Sequence, residues 1–426
     1  MRVGPVVAVL GVVAFGVAGL GTVIAPVASA GPLPGDPNAH QPFTMQVGEA
    51  PKGIAVAGGM GAVANSDANT VTVFKACSPK VCWPQSVGTV TVGSDPSDTA
   101  VAVDPYGQSG RVYVTNSGDG TVTVVPYSYS TLQVLQPATT VAVGGEPTGI
   151  ALSPDAKWAY ISDKESNRLL VLDTASLTVA GSAAVGNGPW GVAVSPDGAR
   201  AYVADNILGA VTVVDTASRT TVATIPVGKA PGELALDPSG RTLWVPNNAD
   251  GTVSVIDTTT NQVVSSVPVG SQPWGVGVTD THAFVANYGS NTVSVIDAST
   301  RKVIATVHTQ KNPFGVAVNY GYTVLVSNTG SDSLSTIALK QYAPSVTWSS
   351  SKAAKSVTGK VPMSPAVTYS MIAKKGSATK KGSCAVSGAQ VSCTVKLSSG
   401  SWRVSIQTRL PWQPVALGAQ NKKFTF

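Results

Sequence analysis

Histidine is nearly missing from this chain: His40, His282 and His308 are the only three in 426 residues. None stands beside a cysteine, serine or aspartate at catalytic spacing, so a lyase or hydrolase that relies on a histidine base is disfavoured. Cysteine is scarce too, and its four copies fall into two local pairs, Cys77 with Cys82 and Cys384 with Cys393. Neither pair has a second pair or a histidine nearby, which argues against zinc and for two disulfides. Glycine-rich phosphate loops and haem-attachment motifs are absent. Beyond residue 30 no apolar run is long enough to span a bilayer, because each is strand-length and broken by Gly, Pro, Asn or Asp. Acidic residues are missing altogether from 340 to 426, where 13 lysines and arginines stand alone.

What is present begins with Arg2 and an apolar run from Val3 to Val27 that closes on Ala28-Ser29-Ala30. This pattern is expected to be a secretory signal (1–30) cleaved after Ala30, with an uncleaved anchor as the alternative. Residues 31–42 follow as a linker. An exported chain is consistent with the disulfides and with a secreted or cell-surface location.

A Pro-x-Gly-hydrophobic phrase then recurs seven times, opening at Pro51, Pro96, Pro147, Pro189, Pro231, Pro273 and Pro313, with steps of 40 to 51 residues. Repeats of about 40–45 residues with four short strands each indicate propeller blades. The fourth repeat shows the pattern most fully. Pro189–Val194, Ala201–Asp205, Val211–Asp215 and Val222–Val227 are β-rich runs separated by turns such as Ser195-Pro196-Asp197-Gly198. The seventh repeat has only three strands, and Phe43–Gly48 matches the missing fourth, so pairing the two would close the ring and remove exposed edges. The expected fold is all-β: a seven-bladed β-propeller of four-stranded antiparallel blades over 43–339, closed by an N-terminal strand, and a small β-sandwich over 340–426.

An asparagine ends or follows the second strand at Asn65, Asn116, Asn206, Asn247, Asn287 and Asn328, in contexts such as Tyr113-Val114-Thr115-Asn116. On these residues the chain resembles the YVTN-type, YncE-like β-propeller repeat family. The resemblance covers about residues 43 to 339 and implies fold more than activity, since such propellers include lactonases, lyases, DNA-binding proteins and surface modules. Leu397–Val404 resembles the turn into the penultimate strand of bacterial fibronectin type III or immunoglobulin-like domains. Strands are expected at 366–373, 391–397, 402–408 and 424–426, after a Ser/Lys-rich lead-in from Ser349 to Lys360.

In this strand order the loops before the inner strands surround the channel mouth. The residue after each repeat proline forms a ring of Lys52, Ser97, Thr148, Trp190, Gly232, Trp274 and Phe314. Its three aromatics would line an apolar or sugar-stacking patch, or simply pack between blades. The next position is glycine in five repeats but Asp98 and Glu233 in the other two, and such pattern breaks point to function. The alternative is that both are plain surface acids, three blades apart. Candidate ligand-binding residues are therefore Lys52, Asp98, Trp190, Glu233, Trp274 and Phe314, with Asp98 and Glu233 as weak metal candidates and no catalytic residue assigned.

Charge divides the chain, with 14 basic against 22 acidic residues between 31 and 339, and a purely basic C-terminal module. The module would attract an anionic envelope polymer or a surface protein, or serve only to keep a small domain soluble. The first functional expectation is a secreted, monomeric, non-enzymatic binding propeller without a cofactor. The second is a metal-dependent lactonase or hydrolase using a divalent cation. The third is nucleic-acid binding, which the acidic propeller opposes and only the basic tail would support.

Overall fold

The computed structural model describes residues 43–76, 84–104, 107–319, 323–338 and most of 347–425. The expected signal and linker, His40 and the Cys77–Cys82 pair lie outside the described residues. Among the described residues no helix is long and apolar enough to cross a membrane.

Seven antiparallel sheets form the propeller. Each blade is a meander in which an inner strand is followed by three strands running outward, as in Pro189–Val194, Arg200–Asp205, Ala210–Asp215 and Thr220–Pro226. Blade two carries an added strand, Gln133–Val134, which accounts for its longer repeat. The inner strand of blade seven, Pro313–Asn319, packs against that of blade one, Pro51–Ala57, and closes the circle. The N-terminal strand Phe43–Gln46 supplies the outer strand of blade seven, pairing with Ser333–Ala338 in the register Thr44 to Ser335 and Met45 to Leu334.

The core lies between blades rather than within them. Tyr113, Val122 and Val124 of blade two meet Ile150, Ile161 and Leu172 of blade three, and Met45 and Leu325 of blade seven meet Ile54 and Phe74 of blade one. Alternation along each strand sends successive side chains to opposite faces, so every blade feeds two interfaces.

Most of the repeating polar residues prove to be scaffolding. Asn247 is fully buried, and its Nδ2 donates to Thr252 Oγ1 (3.0 Å) and Ser254 Oγ (2.9 Å), pinning the hairpin into the third strand. Its Oδ1 accepts the Gly228 N–H at 3.1 Å. A Cβ on Gly228 would lie 2.5 Å from the asparagine Cγ, which is why Val-Gly ends the outer strands. Asn65, Asn116 and Asn287 make the same pair of bonds to hydroxyls five and seven residues on. Asn206 follows its second strand, as the sequence suggests, but makes different bonds. The residue opposite the repeat proline in blade four is Asp205, as Asp163 is in blade three, while Asn206 instead donates to the Pro231 carbonyl of the next blade (2.9 Å).

Turn acids behave as their spacing suggests. Asp297 accepts the Thr300 N–H at 2.8 Å, and bonds from Ser299 and Thr300 hold its carboxyl down at about 2. Gly198 closes its turn with φ +73° and an N–H donated to the Ser195 carbonyl.

The C-terminal strands follow one hydrogen-bonded order: Thr347–Ser351, Ser356–Pro362, Gln390–Lys396, Ala378–Ser387, Thr368–Lys375, Ser401–Arg409 and Leu417–Thr425. The Ser/Lys-rich lead-in is thus two paired strands, and Ala378–Ser387 is a further strand that its polar run concealed. Cys384 and Cys393 lie directly opposite each other and form the expected disulfide.

Candidate functional site

The channel mouth is built by the first residues of the inner strands. In blades one, three, four, six and seven the ladder slips between the repeat proline and the hydrophobic residue three positions on, so the two intervening residues lack a ladder partner in their own blade. Where the second strand offers a hydroxyl, it takes up such a backbone group and ties it to the neighbouring blade. Ser162 Oγ accepts the Gly149 N–H (2.8 Å) and donates to the Trp190 carbonyl of blade four, and Ser327 links Gly315 to Lys52 in the same way. Thr115 joins Asp98 N–H (3.0 Å) to the Thr148 carbonyl (2.7 Å). Blade five has Pro246 at this position, with no hydroxyl to offer, and the link becomes direct, from Glu233 N–H to the Trp274 carbonyl at 3.1 Å.

Three of the six candidate residues gather into one aromatic surface. Trp190 and Trp274 meet edge to face with centroids 5.2 Å apart and planes at 90°. Trp274 and Phe314 follow at 5.0 Å and 34°. Trp190 belongs to blade four and Trp274 to blade six, and they touch because the ring position between them is Gly232. Tyr288 extends the cluster, 6.5 Å from Phe314. The lysine of Lys164 lies 5.7 Å over the Trp190 ring while paired to Glu146 at 2.6 Å. Lys164 and Tyr288 were not singled out from sequence, yet a signal existed: both follow the buried Asp or Asn of the second strand, where other blades carry Ser66, Ser117, Asn206, Asn248 or Thr329.

Lys52 stands apart from the aromatics and is held by Asp95 (Nζ to Oδ1, 2.9 Å). Burial alone would raise the Asp95 carboxyl, but hydrogen bonds from Ser66, Lys52 and Ser117 bring it below the usual range.

One residue further along sit Asp98, on its inner strand, and Glu233, in the segment that leads into the short inner strand Ala235–Leu236 of blade five, and here the surface-acid alternative fails. Both carboxyls lie within the channel wall, partly reachable by water yet surrounded by protein. Asp98 accepts the N–H groups of Thr99 (2.7 Å) and Ile150 (3.0 Å), bridging blades two and three. Burial outweighs these two bonds and raises its carboxyl to about 7. Glu233 is raised well above the ordinary glutamate value, first by burial and then by the charge of Asp98 reaching it across the bore. The glycines at the equivalent positions make room for both acids. A Cβ on Gly53 would fall 2.2 Å from Asp98 Oδ1, and one on Gly275 would fall 2.9 Å from Glu233 Oε2.

Two such carboxyls can hold a shared proton, receive a cation, or divide acid and base duties. Among the described residues no three histidine, cysteine, aspartate or glutamate side chains converge as a metal cluster would require. His282 stands at the start of its second strand, at the opposite end from the mouth, 6.2 Å from Phe284. His308 ends the exposed outer strand of blade six.

The seven-bladed β-propeller lactonase family model matches residues 101–224, a part of the propeller. No curated protein matches the chain. Among solved structures, Kuenenia stuttgartiensis hydrazine synthase is similar over 72% of this chain and 99% of its own, with TM-score 0.58 and 20% identity. A functionally unknown protein from Desulfotomaculum acetoxidans is similar over 67% of this chain and 91% of its own, with TM-score 0.52 and 17% identity. At these identities the likeness concerns the fold.

Proposed function

We propose that this chain is a secreted or cell-surface binding propeller that takes its ligand at the channel mouth and attaches through its basic C-terminal module. The observation that carries the reading is the joining of Trp190, Trp274 and Phe314, from three blades, into one cluster at the same mouth as the two half-buried acids Asp98 and Glu233. Scaffold requirements explain the asparagines, the turn acids and the Val-Gly phrases, and they do not explain this assembly. The C-terminal sheet, which we take as the immunoglobulin-like module, supports attachment. Its hairpin Thr368–Ser387 bears Lys374, Lys375, Lys380 and Lys381, all exposed. Substituting these four lysines by glutamine in the full chain is expected to abolish retention on an anionic envelope polymer at low salt. Unchanged retention would remove the attachment role.

A second reading is hydrolysis, favoured by the charge of Asp98 that helps to raise Glu233 and by the partial match to the lactonase model. Asp98 and Glu233 would then bind a divalent cation or act as acid and base. Calcium would stabilise the propeller against heat, and Asp98→Ala would abolish the effect. Nucleic-acid affinity, if found, belongs to residues 340–426, where positive charge is unopposed.

A further inference from the structure

Resting on the channel mouth as the binding site, we infer that its ligand is an organic cation, an alkylated ammonium group seated against the partly exposed Trp190 and Trp274 rings, beside the buried Phe314, and directed at Asp98 and Glu233.

The shape argues first. Two indoles meeting at 90° form a corner, with Phe314 tilted 34° from Trp274, rather than one flat face. A flat face suits a stacked sugar, whereas a corner can turn ring faces toward a compact cation from more than one side. The protein already uses this chemistry at its rim, where the Lys164 ammonium sits over Trp190.

Charge argues second. Across the seven inner strands, counting the segment from Pro231 that leads into Ala235–Leu236 of blade five, the titratable side chains are Lys52, Asp98 and Glu233. The strands flanking Asp98, Pro51–Ala57 and Pro147–Leu152, bring only Lys52, and Asp95 holds it. Those flanking Glu233, Pro189–Val194 and Pro273–Val278, bring none. The acids therefore lack a counterion from the protein.

Unmet bonding argues third. Asp98 has two amide donors, but the Glu233 carboxyl accepts no hydrogen bond from any described residue, and burial and the Asp98 charge alone shape it. The Trp274 indole N–H is buried without an acceptor. A carboxyl largely enclosed by protein and offered no protein donor is left to the little water that reaches it, and a ligand that brings a positive charge relieves that cost. Because burial favours the protonated acids, cation entry must expel a proton, so affinity rises with pH up to about 7, where Asp98 ionises.

The test titrates the full chain with choline and with its uncharged carbon isostere, 3,3-dimethylbutan-1-ol, following tryptophan fluorescence and heat. Choline is expected to saturate the signal, to release protons, and to bind at least roughly tenfold tighter than the isostere. Glu233→Gln should weaken choline about tenfold and leave the isostere unchanged, while Trp274→Leu should weaken both. Equal binding of the two compounds, lost in Trp274→Leu, would overturn the cation and leave the mouth as the site. Choline binding that ignores Trp274→Leu would overturn both. No saturable response at millimolar choline, or calcium binding lost in Glu233→Gln in its place, would overturn the inference.

Discussion

Asparagine and aspartate at one structural position show how much a single side chain decides in this fold. In blade five Asn247 satisfies two hydroxyls and one amide, so its burial costs nothing in unmet bonds. In blade four Asp205 is equally buried, receives the Thr212 hydroxyl at 2.6 Å, and has an Oδ1 without a partner. Burial raises its carboxyl to about 6. A raised folded-state acid is stabilised when protonated, so stability is highest below the unfolded value and is lost as pH climbs through about 6. Asp205→Asn is therefore expected to raise stability at pH 7.5 by about 1 kcal/mol and to change little at pH 4.5, read from urea midpoints at the two pH values. An equal gain at both would mean that the carboxylate charge is not the cause. The site acids divide in the same way between what was legible and what was not. Asp98 and Glu233 stood out as breaks in a glycine column, but the column says nothing of what lies across the bore. Their burial follows from ring closure, which brings blades two and five to face each other.

Strands were read well wherever their alternation was strong, and the N-terminal latch is the most consequential of them. Phe43–Gln46 pairs with a strand almost three hundred residues away, and its Met45 is buried among Ile54, Phe74 and Leu325. Met45→Ala is expected to cost about 2–4 kcal/mol through the lost contacts and the cavity left behind. Because the latch closes the ring, the loss should appear as a lower thermal midpoint of the whole propeller. A fall confined to a minor early transition would show that the latch frays independently. Two strands, Ser356–Pro362 and Ala378–Ser387, escaped the reading because lysine, glycine and serine interrupt them and little apolar alternation marks them. The three aromatics were expected as a patch, but which rings touch depends on which blades adjoin, and the gap between Trp190 and Trp274 is set by Gly232 in the blade between them.

The molecule as a whole is divided by charge, with an acidic set of blades and a C-terminal sheet whose lysines have no acidic partner in their own segment. Exposed lysines act through solvent and are screened over about 10 Å at 0.1 M salt. Retention of the full chain on an anionic polymer should therefore fall steeply between about 0.05 and 0.5 M salt, while the chain with four glutamines should start low and stay flat. A salt-independent full chain would place the attachment in apolar contacts instead. On the proposed reading a polyanion would be taken by the C-terminal sheet and not by a channel mouth whose inward groups are aromatic and acidic.

Repeat period, strand alternation and turn chemistry are local properties, and through them the chain itself specifies the blades, their number, the closing strand and the places where glycine gives way to an acid. Which of those places become neighbours is not local. Joining blade seven to blade one sets the width of the bore, stacks rings from blades four, six and seven, and buries two like charges within reach of each other, because only a closed circle brings residues more than a hundred positions apart to the same axis.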